Sequence, residues 1–275
     1  MPILCRRGQQ KLDWIRGAGV TMGERLKDKR ALITGGGTGI GRAIAEAFVA
    51  EGARVVICGR RPGPLQQAVE ALHHITPHAH FVECDVTDPE DVKALTARTS
   101  SLLGGLDVLV NNAGLFEPGT LETTELKIWD RVFNTNLRGA FLVTRACLPM
   151  LLARRGSCVL SVSAAHAKAA DADKVAYSAS KAALDMFSRC CAVDFGDKGL
   201  RFNTISPSVV DTPLHDRSKA ELGIHEWRSQ MAFLHPLTNV GMPRDVALAA
   251  VYLASDEASF LTGMDLPVDG GMTAR

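Results

Sequence analysis

Tyr177 and Lys181 bracket the run Tyr177-Ser178-Ala179-Ser180-Lys181. The four-residue spacing puts both side chains on one face of a helix. A phenol with an ordinary pKa of about 10 is a poor base at neutral pH. An ammonium one helical turn away stabilises the phenolate by Coulomb attraction, so the pair could carry a proton to or from a bound oxygen. An isolated Tyr-x-x-x-Lys run is more often a solvated helix face, and the residues around it decide the reading.

A second constellation is Thr34-Gly35-Gly36-Gly37-Thr38-Gly39-Ile40-Gly41, placed between a β-branched run and a helix starting near Ile40. Glycines here allow a tight turn, bring backbone N–H groups up to a pyrophosphate and let a helix pack closely on a strand, while the helix N-terminus adds partial positive charge. The same composition also serves as plain punctuation between elements. About 20 positions beyond the glycines, an acidic residue would bind the adenosine ribose hydroxyls of NAD. That position is Gly59, followed by Arg60 and Arg61. Guanidinium donors with no carboxylate beside them suit a 2′-phosphate, which predicts a preference for NADP(H) with NAD(H) still usable. Thr38 stands where a basic residue in the glycine loop would strengthen that prediction.

These residues need a scaffold, and from Lys29 onward short β-branched runs alternate with longer amphipathic stretches, the pattern of successive βαβ units. The expected strands are Ala31 to Thr34, Val55 to Cys58, Phe81 to Cys84, Val108 to Asn111, Cys158 to Val162, Phe202 to Ile205 and Leu266 to Val268. Nearly continuous apolar strands imply helices on both faces and right-handed crossovers. The fold class is therefore α/β, a doubly wound Rossmann-type parallel sheet flanked by helices, in one domain over residues 25–275. Residues 1–24, basic and without periodicity, read as a flexible N-terminal extension or a transit peptide, with Met22 an alternative start.

The chain has 275 residues, 46% of them hydrophobic, with 31 Lys and Arg against 30 Asp and Glu. A balanced charge argues against nucleic acid or an anionic membrane as partner and for a small molecule. The seven cysteines form no Cys-x-x-Cys pair, which points to a reducing compartment, the cytoplasm, and to no metal. No apolar run approaches the roughly 20 residues that span a bilayer.

Further motifs follow in order: Asn111-Asn112-Ala113-Gly114, Asn136 in Asn134-Thr135-Asn136-Leu137-Arg138-Gly139, Ser163 at the end of the fifth strand, and Pro207-Ser208-Val209-Val210-Asp211-Thr212. Leu261-Thr262-Gly263 and Val268-Asp269-Gly270-Gly271 complete the series. With the Thr-Gly-x-x-x-Gly-x-Gly loop and the Tyr-x-x-x-Lys pair, the chain over about residues 26 to 273 resembles the single-domain branch of the short-chain dehydrogenase/reductase family.

The resemblance implies hydride transfer between NADP(H) and the carbonyl or secondary alcohol of a small molecule, with Tyr177 as general acid or base and Lys181 beside it. It implies Ser163 as the hydroxyl that holds the substrate oxygen and Asn136 as the residue that helps hold a water near Lys181. Tyr177 lies fourteen positions after Ser163, one more than the usual family interval; the strand register favours Ser163, and Ser161 is the other candidate. Implied cofactor contacts are Gly35, Gly37, Thr38, Gly39, Ile40 and Gly41, Arg60 and Arg61, Asp85 and Val86, Asn112, Ala113 and Gly114, Tyr177 and Lys181, and Pro207, Val210 and Thr212. Asp85 could equally serve as a turn residue, and Ser208 replaces a usual glycine.

The substrate would be framed by the segments after Gly114 and Ser163 and by a variable stretch from Pro213 to about Pro236. Apolar faces carrying Phe141, Leu148, Leu151, Met186, Phe187 and Cys190 point to a homodimer or homotetramer. The alternative activity is a 3-oxoacyl-[acyl-carrier-protein] reductase, for which Arg138 and Arg145 could dock the carrier. A catalytically silent NADP-binding regulator is the more distant reading.

Overall fold

Seven β-branched runs form the strands of one parallel sheet in a computed structural model that describes residues 23–274. They are β1 (Arg30–Thr34), β2 (Arg54–Gly59), β3 (Ala79–Glu83), β4 (Val108–Asn111), β5 (Cys158–Val162), β6 (Arg201–Pro207) and β7 (Asp265–Val268). Every neighbouring pair is parallel and the spatial order is 3-2-1-4-5-6-7. Helices α1 (Gly39–Ala50), α2 (Pro62–Leu72), α3 (Pro89–Leu103), α4 (Leu126–Phe133) and α5 (Gly139–Leu152) make the earlier crossovers. Helices α6 (Val175–Phe195), α7 (Asp216–Leu222), α8 (Ile224–Ala232) and α9 (Pro243–Ala254) follow.

Because successive strand side chains point to opposite faces, the strands feed two separate cores. Ile33, Ile57 and Leu160 pack with Ile44 and Phe48 of α1 and Val246 and Val251 of α9. Leu32, Val56, Leu109 and Val159 pack with Val92 and Leu95 of α3 and Val143, Cys147 and Leu151 of α5. Leu151 is thus core and is lost to any partner-facing patch; its side chain is fully buried. The expected residues 1–22 of the extension lie outside the described residues.

The expected strands all occur, with shifted ends. β3 starts two residues early and stops at Glu83, where Cys84 leaves the strand with its N–H still donating to Gly59 O at 3.0 Å. β6 runs on to Pro207, so Ser206 and Pro207 are carried to the carboxyl edge of the sheet. The strand order reverses between β1 and β4, and in such sheets the crevice at the carboxyl ends beside that reversal is where ligands bind. Among the described residues no helix is long and apolar enough to cross a membrane.

Candidate active site

The glycine loop connects β1 to α1, and its backbone takes shapes that side chains would block. Gly39 sits at φ 53°, and a Cβ there would also stand 3.3 Å from Thr212 across the cleft. A Cβ on Gly41 would meet Asn112 Nδ2 at 2.3 Å and Gly35 O at 2.4 Å. Gly35, Gly37, Thr38, Gly39 and Ile40 line a cleft of about 380 Å³. Gly41 does not; it is the contact that lets α1 close against the Asn112 segment.

That segment is fixed by the threonine that opens the glycine motif. Thr34 is buried, and its Oγ1 accepts from Asn112 N at 3.0 Å and Ala113 N at 2.9 Å while donating to Val110 O at 3.3 Å. Asn112 Nδ2 returns bonds to Thr34 O at 2.8 Å and Gly35 O at 3.2 Å. One hydroxyl and one amide thereby tie the loop after β4 to the loop after β1, and Asn112, Ala113 and Gly114 line the cleft.

At the β2 end Gly59, Arg60, Arg61, Cys84, Asp85 and Val86 line the same cleft. Position 59 carries no carboxylate, but Asp85 Oδ2 reaches within 4.0 Å of Arg60 Nη1, which corrects the expectation of a carboxylate-free corner. Asp85 is also a turn residue: its Oδ1 accepts from Thr87 N at 2.9 Å and Thr87 Oγ1 at 2.8 Å.

The opposite end is built on α6. Tyr177 and Lys181 share one face, and both line the cleft with Ser163, Pro207, Val210 and Thr212. Lys181 is buried and its Nζ donates to Val162 O at 2.7 Å. The ammonium lies 5.8 Å from the Tyr177 ring centre, and Phe116 meets that ring edge-on at 5.2 Å. Burial pushes the Tyr177 hydroxyl up to about 12 and lowers Lys181 to about 8, the latter opposed by the charge of Asp185. The depressed tyrosine expected from the four-residue spacing is therefore not what this geometry produces, because desolvation of both groups dominates and Lys181 is bonded to a carbonyl.

Ser163 directly follows β5, its N–H donating to Ile205 O at 2.8 Å and its Oγ to Lys181 O at 3.4 Å. Ser161 lies inside β5 opposite Asn111, is buried and does not line the cleft. The two candidates are thus separated by placement. Between Ser163 and Tyr177 the polar loop spends its charges on ion pairs, Lys168 with Asp265 and Lys174 with Asp171.

Asn136 is buried in a π-helical turn, Asn134–Arg138, inserted between α4 and α5, where the sequence suggested one continuous helix with a local irregularity. Such turns recur at functional sites. Its Oδ1 accepts from Leu115 N at 2.7 Å, and its Nδ2 donates to Leu115 O at 3.0 Å and Ser180 Oγ at 2.9 Å. Ser180 in turn donates to Tyr177 O at 2.7 Å, so Asn136 braces the catalytic-side helix against the loop after β4 without lining the cleft itself.

The variable stretch forms a short 3₁₀ turn at Pro213–His215 and then α7 and α8. Pro213, Leu214 and His215 line the cleft. His215 packs at 5.3 Å against buried Trp227, and burial together with the charge of Lys219 lowers it to about 4. Asp211 anchors the stretch through Lys219 at 2.7 Å and Arg228 at 2.6 Å. Ser208 Oγ bonds His235 Nε2 at 2.7 Å. Leu115, Leu214 and His215 carried no motif of their own, but they fall in the segments after Gly114 and from Pro213 that were expected to frame the substrate.

Residues 35–273 match a family model described as enoyl-(acyl carrier protein) reductase. The NADP-dependent (R)-specific alcohol dehydrogenase of Lentilactobacillus kefiri is 37% identical over 257 residues, 92% of this chain and 100% of that one. The 2,5-dichloro-2,5-cyclohexadiene-1,4-diol dehydrogenase LinX of Sphingobium indicum is 35% identical over 250 residues, 91% of this chain and 98% of that one. Among solved structures, the aldohexose dehydrogenase of Thermoplasma acidophilum superposes with a TM-score of 0.83 at 34% identity, covering 92% of this chain and 97% of that one. A Burkholderia xenovorans protein described as a short-chain dehydrogenase/reductase gives 0.87 at 34% identity, with coverages of 92% and 99%. The chain belongs to the short-chain dehydrogenase/reductase family and is, on that ground, an oxidoreductase acting on CH–OH groups with a nicotinamide dinucleotide.

Proposed function

We propose that this enzyme transfers a hydride between NADP(H) and a carbonyl or secondary alcohol of a small, largely uncharged molecule. The observation that carries the reading is one cleft in which the glycine loop, Arg60 and Arg61 lie at one end and Ser163, Tyr177 and Lys181 at the other. The residues fit the cofactor: Gly39 is a cradle that a Cβ would strain, and two guanidiniums stand where a 2′-phosphate needs donors. When bound, the nicotinamide supplies or receives the hydride.

The chain's own residues do the rest. Tyr177 gives its proton to the substrate oxygen in reduction and takes it back in oxidation. Ser163 donates to the same oxygen and stabilises the charge that develops on it. Lys181 holds positive charge next to both, and Asn136 keeps the loop bearing Leu115 in register with α6. Leu115, Leu214 and a neutral His215 make an uncharged wall, which favours a substrate without a formal charge at that end.

Residues 25–275 form the catalytic unit in this reading, working in the cytoplasm as a homodimer or homotetramer. Exposed Phe141 on α5 and Met186 and Val193 on α6 supply apolar surface for assembly, which sedimentation would measure. In the acyl-carrier reductase reading Arg138 stays exposed, with its Nη1 donating to Thr87 O at 2.7 Å.

The test is an absorbance screen at 340 nm with NADPH and NADH against ketones, quinones, sugars, steroids and acyl thioesters. The expected result is turnover of free carbonyls with NADPH favoured; activity confined to carrier thioesters would give the reading to the alternative. Arg60→Asp should shift the ratio of kcat/KM toward NADH by about tenfold or more, the cost of one lost charged hydrogen bond. An unchanged ratio would remove Arg60 from the phosphate site.

A further inference from the structure

One charged side chain near the cleft has no place in the scheme above. Asp185 follows Lys181 by four residues on α6, so the two project from the same face of the helix. It is 6% exposed, among Leu184, Ser188 and Ala192, all buried on the inner side of a helix where an apolar residue would be expected. Its Oδ1 has no hydrogen-bond partner. A buried carboxylate left partly unsatisfied is destabilising, so its presence beside an acid–base site asks for a role.

The groups facing it come from three directions. Lys181 is on its own helix, Ser163 follows β5, and Asp265 of β7 approaches with Lys168 from the loop after β5. Asp265 is already committed to Lys168, Thr204 and Ser206. Burial raises the Asp185 carboxyl; the nearby Ser163 hydroxyl opposes this, the charge of Asp265 adds to it, and Lys168 and Lys181 oppose it, leaving it raised. For Lys181, burial is the larger influence and lowers it, and Asp185 is the charge that works against burial.

Resting on the proposed function, we propose that Asp185 is a positioning residue: its carboxylate, one helical turn beyond Lys181, supplies the counter-charge that keeps Lys181 an ammonium. Asp185 touches neither substrate nor cofactor. It acts on the reaction through Lys181, by fixing its charge. A neutral residue of the same shape would leave Lys181 to the full effect of burial, and the lysine would lose its proton at lower pH.

The test reads Lys181 directly. The protein is labelled with ¹³C at lysine Cε, and the Lys181 signal, assigned by its loss in Lys181→Arg, is titrated in wild type, Asp185→Asn and Asp185→Glu. Asp185→Asn should lower the Lys181 midpoint by about one pH unit, the size of one close opposite charge. The alkaline limb of kcat/KM for carbonyl reduction should move down with it, and Asp185→Glu should restore both toward wild type. A folded Asp185→Asn whose Lys181 midpoint is unmoved, or whose activity falls by one factor at every pH, would overturn the proposal. Asp185→Ser takes the same titration if the asparagine variant does not fold. A wild-type protein that turns over no carbonyl with either nicotinamide defeats the proposed function instead, and the lysine titration still decides the Asp185–Lys181 pairing.

Discussion

Ser163 and Ser161 differ by two positions and therefore point to the same face of the strand line, which is why spacing alone left both open. The structure separates them by depth: Ser161 is paired inside β5, and Ser163 stands one residue beyond its end at the cleft. Ser163→Ala should lower kcat by about 10²-fold, the cost of a lost donor to a developing oxyanion. Ser161→Ala should leave kcat/KM within about threefold, because it removes a buried hydroxyl away from the cleft. Steady-state kinetics on the pair checks this, and the reverse order would move the donor role to Ser161. Legibility at this scale followed local spacing. Tyr177, Lys181 and the glycines were readable because a few neighbouring residues define them. Asp185 was not, and of Thr34 only its place at the head of the glycine motif was readable, since its bonds to Asn112 and Ala113 lie far along the chain.

Elements were legible wherever apolar runs were continuous, so seven strands and the helices between them fell where alternation of β-branched and amphipathic stretches put them. Their ends shifted by a residue or two, because pairing partners, not propensity, decide where a ladder stops. The π-helical turn at Asn134–Arg138 was legible only as a local irregularity near Asn136, because the bonds from Asn136 to Leu115 and Ser180 that accommodate its extra residue are tertiary. At the β1–α1 junction, Gly41→Ala tests how tightly α1 must close on the Asn112 segment. The new Cβ would lie 2.3 Å from Asn112 Nδ2, so a loss of about 1–3 kcal/mol is expected from overpacking. Urea unfolding measures it, and an unchanged midpoint would show that the junction can relax.

Across the whole molecule, stability rests partly on an ion pair at the sheet's amino edge, far from the cleft. Asp107, 2% exposed, accepts from Arg30 Nε at 2.8 Å, Arg30 Nη2 at 2.9 Å and the Arg30 backbone N–H at 2.9 Å, joining β1 to the start of β4. Burial alone would raise its carboxyl, but the Arg30 side-chain and backbone bonds and the charges of Arg30 and Arg154 hold it below the ordinary carboxylate value. A depressed folded-state pKa contributes stability above the unfolded value of about 3.9 and loses it as pH falls through the folded one. Asp107→Asn should cost about 3–5 kcal/mol at pH 7, as expected for leaving Arg30 without its buried partner, and the gap to wild type should narrow below about pH 4. Equal losses at pH 7 and pH 3 would contradict the assignment.

The bond between Ser208 and His235 reaches from the loop after β6 to the residues that follow α8, so the strap carrying Leu214 and His215 is latched at its far end to the cofactor-side loop. The latch is one tie among three on the strap, because Asp211 also holds it through Lys219 and Arg228. Ser208→Gly cuts the latch and should speed nucleotide escape by about tenfold in stopped-flow fluorescence, the effect of one lost hydrogen bond of about 1.4 kcal/mol.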